Sequence, residues 1–314
     1  MSAHADPLFN LLRPERLTSV VDIGANPIES APPYKPMLDQ RLCTVFGFEP
    51  QPEAMEKLLE QKGDLETYLP YAVGGETRAT LKVCHAPGMT SLYTPEPRTL
   101  ACFPGFAVFG HVLKEIPVET RALDGISEIT HIDHLKIDVQ GGELNVFRNG
   151  AAKLAQASSI QTEVSFVPLY AGQPVFGDID LALRALGFIP HMFAQINKRM
   201  ILPLHHADNL YSSMNQLLEA DIVYVRDFTQ AEKMTAEQLK HLALVAHHCY
   251  QSYDLVANCI NHLVNRGAVP ADAVGRYLGD LKTAAAKAAI EGQAGRTRTC
   301  SGWAANWPCR TARS

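Results

Sequence analysis

The sequence predicts an α/β fold built on a doubly wound, mostly parallel sheet, with a helical extension at its C-terminal end. Short apolar runs that end in an acid recur along the chain: Val20-Val21-Asp22-Ile23-Gly24, Val45-Phe46-Gly47-Phe48-Glu49, Leu135-Lys136-Ile137-Asp138 and Ser159-Ile160-Gln161-Thr162-Glu163. Parallel strands are covered on both faces, so they read as near-continuous apolar runs rather than as strict alternation. Helical patterns separate the runs, which is the rhythm of βαβ units. After residue 235 the pattern becomes helical throughout.

The first strand falls near 19–23 and the second near 44–48. Pro50-Gln51-Pro52-Glu53 opens a helix that continues through Ala54, Met55 and Leu58, since proline is tolerated in a first helical turn. Residues 66–73 read as a third strand, stopped by Gly74-Gly75. Alternation at 80–84 and 116–120 fits antiparallel or edge strands. Between these lies an irregular stretch rich in proline and aromatics, with Met89, Phe103, Phe106 and Phe109. It is longer than ordinary connections and is expected to act as a lid or acceptor wall, with a hydrophobic plug over the sheet edge as the alternative. The regular rhythm resumes with a strand at 134–139 and a helix running from Glu143 through Leu154. A strand at 159–164 and a helix over 178–186 follow, and strands near 189–201 and 221–226 are expected to close the sheet as a hairpin. Thr235-Ala236-Glu237-Gln238 is a capping box, and the spacing of Leu242, Ala246, Cys249, Tyr253, Val256, Ile260 and Leu263 predicts one helix over 235–264. A second, Ala-rich helix follows at 271–290. The expected organisation is a domain over 1–230, the helical extension over 231–290 and a disordered tail over 291–314.

Bulk properties narrow the function. The 314 residues are 46% apolar, enough for one large core or a core with a small appendage. A net charge of −5 gives no electrostatic reason to expect a nucleic-acid partner. No apolar run is long enough for a bilayer span, and no secretory signal is read at the start. The seven scattered cysteines contain no Cys-x-x-Cys pair, which fits reduced thiols in the cytoplasm. His205-His206 and His247-His248 lack a third ligand at metal spacing, so no metal site is expected.

In doubly wound sheets ligands sit outside the carboxyl ends of the strands. Asp22, Glu49, Asp138 and Glu163 all fall at such ends. Glu49 stands about one βαβ unit after Gly24, where an acid can accept hydrogen bonds from ribose hydroxyls. A dinucleotide fingerprint would need glycines where this chain has Asn26 and Glu29, so a nucleoside ligand without phosphates suits the loop better. S-adenosylmethionine is such a ligand, and its positive charges favour a rim of acids.

Asp22-Ile23-Gly24-Ala25-Asn26, Gly47-Phe48-Glu49-Pro50, Ala72-Val73-Gly74 and Lys136-Ile137-Asp138-Val139-Gln140-Gly141-Gly142-Glu143 resemble, in order, the motifs of the FkbM-type S-adenosylmethionine-dependent methyltransferases. The resemblance covers about residues 18–190. It implies a Rossmann-like sheet of the class I methyltransferase type and O-methylation of a sugar, glycan or secondary-metabolite hydroxyl. It also implies that Asp22, Gly24 and Asn26 line the methionine end of the cofactor and that Glu49 holds the ribose. By the same resemblance, Ala72 and Val73 lie by the adenine and Asp138 lies near the sulfonium. A hydroxyl acceptor needs a general base within hydrogen-bond reach; Asp138 is the first candidate and Glu163 the second. Two departures stand out: Pro27 where the family usually has a glycine, and Gln140 where it usually has an acid. Glu143 reads as a helix-start charge. The competing readings are a catalytically degenerate scaffold or cofactor sensor, and a nucleotide-dependent oxidoreductase or epimerase. A homodimer through the C-terminal helices is the expected assembly.

Overall fold

Apolar side chains alternating between two faces of one sheet build the molecule. In a computed structural model, which describes residues 5–26, 31–75, 77–206 and 208–290, the chain folds into the expected α/β architecture. The turn that begins at Pro27 and the tail over 291–314 lie outside the described residues. The strands are β1 (Thr18–Ile23), β2 (Cys43–Phe48), β3 (Glu66–Leu69), β4 (Ala72–Gly74), β5 (Arg78–Cys84), β6 (Val112–Ala122), β7 (His134–Ile137), β8 (Ser159–Ser165), β9 (Phe188–Arg199) and β10 (Gln216–Arg226). Seven of them form a sheet in the order β3-β2-β1-β7-β8-β10-β9. The pairings from β3 through β8 are parallel, and β10 runs antiparallel to both β8 and β9. This is the expected doubly wound, mostly parallel sheet. The strand order reverses between β1 and β7, which is where such sheets open a crevice.

Successive residues of a strand point to opposite faces, and the two cores follow that rule. Val20, Val45, Val223 and Val225 pack with the helices Pro7–Leu12 and Lys35–Asp39 and with the C-terminal helices. Val21, Ile23, Ile222 and Tyr224 pack on the other face with the helices Glu143–Arg148, Ala151–Leu154 and Phe176–Ala185. The C-terminal helices are therefore the larger part of the layer over that face of the sheet, completed by Pro7–Leu12 and Lys35–Asp39. Their apolar stripe, which could have served a second copy, faces the chain's own strands. Among the described residues no helix is long and apolar enough to cross a membrane.

Three expected elements differ. The 66–73 strand splits: β3 joins the main sheet, whereas β4 pairs with β6 in a second sheet of order β4-β6-β5. The helix from Glu143 stops at Arg148 and restarts at Ala151. Gly150 allows this turn, because a Cβ there would come within 2.6 Å of the Leu123 side chain. The single helix over 235–264 is two, Ala236–His248 and Tyr253–Asn265. Gln251 takes a φ of 53° at the turn, and the Ser252 amide donates to the Ala246 carbonyl at 2.8 Å. The apolar spacing ran through this turn because Cys249 and Tyr253 continue it.

The turn delivers Tyr250 to the sheet. Its hydroxyl donates to Gln161 Oε1 at 2.9 Å and meets His134 Nε2 at 3.1 Å, while His134 Nδ1 meets Ser159 Oγ at 2.9 Å. Burial pushes the His134 pKa down to about 4. His247, against the Tyr277 hydroxyl at 3.0 Å, is pushed down to about 4 by burial and by its neighbour His248.

A histidine that stays neutral in the fold but titrates near 6.5 when unfolded stabilises fully above that pH. Its contribution is lost as pH falls toward 4. Compared with His247→Gln, the native chain should lose about 2–3 kcal/mol between pH 7.5 and 4.5, read from urea midpoints. Parallel pH profiles in the two proteins would rule this out.

Candidate active site

Close approach at the carboxyl end of β1 shapes the site. Gly24 has a φ of 83°, and a Cβ there would lie 1.9 Å from the Asp138 carbonyl oxygen. Only glycine fits between the ends of β1 and β7. The loop is pinned on its other side, since the amides of Gly24 and Ala25 both donate to the Phe48 carbonyl, at 3.0 and 3.1 Å.

Asp22 is buried beneath this loop. It accepts a hydrogen bond from the Tyr34 hydroxyl at 2.7 Å and forms an ion pair with Lys136 Nζ at 3.2 Å. Lys136 also donates to the Gly24 carbonyl at 3.2 Å. Burial opposes the lysine's charge, but Asp22 and Asp138 raise its pKa above the usual value. Asp22 thus holds the loop through Lys136. Asn26 ends the loop, half-buried.

Glu49 follows β2 and is buried; its Oε1 accepts from the Gln51 amide at 2.7 Å. Burial pushes its carboxyl up to about 7, against the hydrogen bond from Gln51 and the attraction of Lys136. Ala72 and Val73 are also buried, on β4 outside the main sheet, and Val73 shares a core with Phe48.

Asp138 and Glu163 meet through Gln140. The Gln140 side-chain amide donates to Asp138 Oδ1 at 2.8 Å and to Glu163 Oε2 at 2.9 Å. Glu143 lies behind them, accepting from the amides of Val139 at 2.9 Å and Gly141 at 3.3 Å, so it staples the turn before its helix. One oxygen from each of Asp138, Glu143 and Glu163 lies within 4.8 Å of the others. Burial pushes the Glu143 carboxyl up to about 7. Burial also raises Glu163 well above the carboxylate range, reinforced by Asp138, Glu219 and Glu143. The site is a desolvated cluster of acids with Lys136 beside it on β7, so a positively charged ligand would relieve it.

The structure therefore brings Asp22, Gly24, Asp138 and Glu163 to one crevice, with Glu49 at the neighbouring strand end. The segment at 87–109 is mostly a plug. Met89, Phe103 and Phe106 are buried in a third core with Leu169, Tyr170 and Leu218. Phe109 is partly buried and stacks on Tyr211 at 5.8 Å. Sequence reasoning missed Tyr34, Lys136 and Tyr170 as parts of the site. Lys136 carried a signal, as the one cation in an otherwise apolar strand that ends in an acid.

Residues 22–190 match the family described as the methyltransferase FkbM domain. No curated protein matches the chain. Among solved structures, it is similar to a magnesium protoporphyrin IX methyltransferase from Synechocystis PCC 6803 with bound SAM. The identity is 14% over 67% of this chain and 71% of that one, with a TM-score of 0.35. A precorrin-6y C5,15-methyltransferase from Geobacter metallireducens GS-15 is 11% identical over 70% and 86%, with a TM-score of 0.36. Similarity that distant carries nothing about substrate or mechanism.

Replacing Gly24 by alanine should lower stability by about 3 kcal/mol or more, from the clash with Asp138 and the unfavourable φ. Alanine at Gly172, where φ is also positive but a Cβ would meet nothing, should cost only about 1 kcal/mol. Equal losses in thermal melts would show that the close approach does not matter.

Proposed function

The chain belongs to the FkbM methyltransferase family, and from that membership we propose that it moves a methyl group onto a hydroxyl oxygen of a sugar, glycan or secondary metabolite. S-adenosylmethionine is the cofactor, and when bound it supplies a methyl group on a sulfonium, an intrinsically good leaving group. The residues present fit it. Buried Asp22 and Glu49 and half-buried Asp138 and Glu163 gather at or near the carboxyl ends of β1, β2, β7 and β8, around a loop that only Gly24 can make.

In this reading Glu49 accepts hydrogen bonds from the ribose hydroxyls, and its burial keeps competing water away. Asp22, Gly24 and Asn26 shape the methionine end, with Asp22 acting through Lys136. Ala72 and Val73 border the adenine. Asp138 faces the sulfonium.

The observation that carries the reading is the Asp138–Glu163 pair beside the Gly24 loop, at the point where the strand order reverses. Gln140 occupies Oδ1 of Asp138 and Oε2 of Glu163, leaving Oδ2 and Oε1 to receive an acceptor hydroxyl. Asp138 takes the proton as the acceptor oxygen attacks, and Glu163 shares the charge that develops. Alignment of the acceptor with the methyl–sulfur bond, in a site closed to water, is the fold's main contribution. A cytoplasmic setting agrees with the five described cysteines, all of which are free thiols.

Calorimetric titration with S-adenosylmethionine and S-adenosylhomocysteine tests the cofactor site. Glu49→Ala should weaken both ligands by about tenfold or more. In the native protein affinity should fall as pH drops below about 7, because the Glu49 carboxyl gains a proton and loses an acceptor site. In Glu49→Gln that slope should flatten. Undiminished binding in Glu49→Ala would remove it from the site.

Release of S-adenosylhomocysteine across a panel of sugars and hydroxylated metabolites tests the chemistry. With any acceptor so found, Asp138→Asn should lower kcat by about 100-fold or more, with cofactor affinity within a few-fold of native. Full turnover in that variant would exclude Asp138 as the base.

A further inference from the structure

Gln140 occupies an unusual position for its residue type. Its φ is 54°, a left-handed conformation that side-chain-bearing residues seldom take. That backbone turn lets one residue make four hydrogen bonds to four different parts of the chain. The side-chain amide reaches Asp138 Oδ1 at 2.8 Å, after β7, and Glu163 Oε2 at 2.9 Å, on β8. Its side-chain oxygen accepts from the Tyr170 hydroxyl at 3.1 Å, and its backbone carbonyl accepts from Ser91 Oγ at 2.6 Å. Tyr170 is itself buried, and its hydroxyl also lies 3.2 Å from the Met89 carbonyl, so its one proton is shared between the two acceptors. Met89 in the turn at 87–91 and Leu169 and Tyr170 belong to the third core, which these hydrogen bonds place beside the carboxylate pair.

Building on the reading of Asp138 and Glu163 above, we propose that Gln140 is the positioning residue of the transfer site. Its amide aligns the two carboxylates as a pair and ties that pair to the acceptor-side wall formed by 87–91 and Tyr170. A carboxylate has no proton to donate when ionised. An amide offers two N–H groups in one plane, so it can satisfy two acids at once without adding charge. Those donors favour the ionised forms of both carboxyls, while Tyr170 fixes which way the amide faces. Wall and reacting carboxylates then move as one unit.

The test uses the full-length protein and two ligands that differ in charge at one atom, the S-adenosylmethionine sulfonium and the neutral sulfur of S-adenosylhomocysteine. The ratio of their affinities is measured from pH 5.5 to 9. The titratable groups that face the pair are Lys136 on β7, Glu143 at its helix start, Glu219 and Asp221 on β10, and Tyr170; the variants at Gln140 leave all of them in place. In the native protein preference for the sulfonium should rise with pH as Glu163, raised by burial and by Asp138 beside it, ionises. Gln140→Asn tolerates the left-handed backbone but is one methylene too short to bridge both acids. In it the midpoint of that rise should move up by about one pH unit, with S-adenosylhomocysteine affinity at pH 9 within threefold of native. Gln140→Glu, which adds a charge, should move it further. Tyr170→Phe should keep the midpoint within a few tenths of a unit. Hydrogen exchange should quicken in peptides covering 87–93 and 168–174 in both Gln140→Asn and Tyr170→Phe.

A Gln140→Asn protein with the native midpoint and native exchange would overturn the assignment, provided Glu163→Gln flattens the rise. If Glu163→Gln keeps the native profile, the pair does not face the sulfonium; the placement proposed above fails, and the role of Gln140 fails with it.

Discussion

A buried ion pair between neighbouring parallel strands holds the functional end of this molecule together. Lys136 on β7 reaches Asp22 on β1 at 3.2 Å and the Gly24 carbonyl at 3.2 Å. It crosses the one seam in the sheet where consecutive connections diverge to opposite sides. At such a seam nothing but side chains and loop backbone fills the space above the strand ends, which is why ligands bind there. Here the filling is minimal on purpose of packing: Gly24 brings β1's loop against the Asp138 carbonyl, and Tyr34 covers the far side of Asp22. A lone buried lysine would be expelled or neutralised. Paired with Asp22 and near Asp138, it stays charged and fixes the geometry of both strand ends.

The same seam explains the electrostatics. Glu49, Glu143 and Glu163 all have carboxyls pushed up by burial. Each of these groups is stable in the fold when protonated and costs stability when ionised above its unfolded value, so the site opposes folding as pH rises through about 7. The histidines of the helical layer work in the other sense, since burial lowers them and acid removes their contribution. These opposing slopes fall in overlapping windows between about pH 4 and 7, where they partly offset each other. They also separate two jobs physically, with strained acids at the strand ends and neutral polar contacts of His134, Gln161 and Tyr250 deeper in the sheet. A cationic cofactor favours the ionised acids and so opposes the cost that the empty fold carries.

Most of the sheet was legible because buried parallel strands are written as apolar runs, and because an acid at the end of such a run has few structural uses. Asp22, Glu49, Asp138 and Glu163 were found on that ground; the structure places the first three at or just past strand ends and Glu163 two residues inside the end of β8. The 249–252 turn was hidden for a definite reason. It contains neither glycine nor proline, and the apolar spacing of the two helices it joins stays in phase across it. The roles of Lys136 and Tyr170 were hidden differently. Each is ordinary in its own segment and acquires a partner only through contacts 112 and 30 residues distant in sequence. The plug at 87–109 read as a wall because composition reports aromatic content but not which way rings turn.

Gln140 shows why a departure from a family pattern can be informative without being a defect. An acid there would place a further negative charge among Asp138, Glu143 and Glu163, three carboxyls already within 4.8 Å of one another. The outcome in such a crowd is protonation of one member, because like charges in a desolvated site cannot all ionise. An amide of nearly the same shape avoids that by donating to two of the acids while accepting from Tyr170. The substitution exchanges a charge for a connection. On the proposed reading, this chain sets the ionisation of its reacting carboxylates by hydrogen bonding rather than by another acid, and the acceptor-side core is bound into that setting.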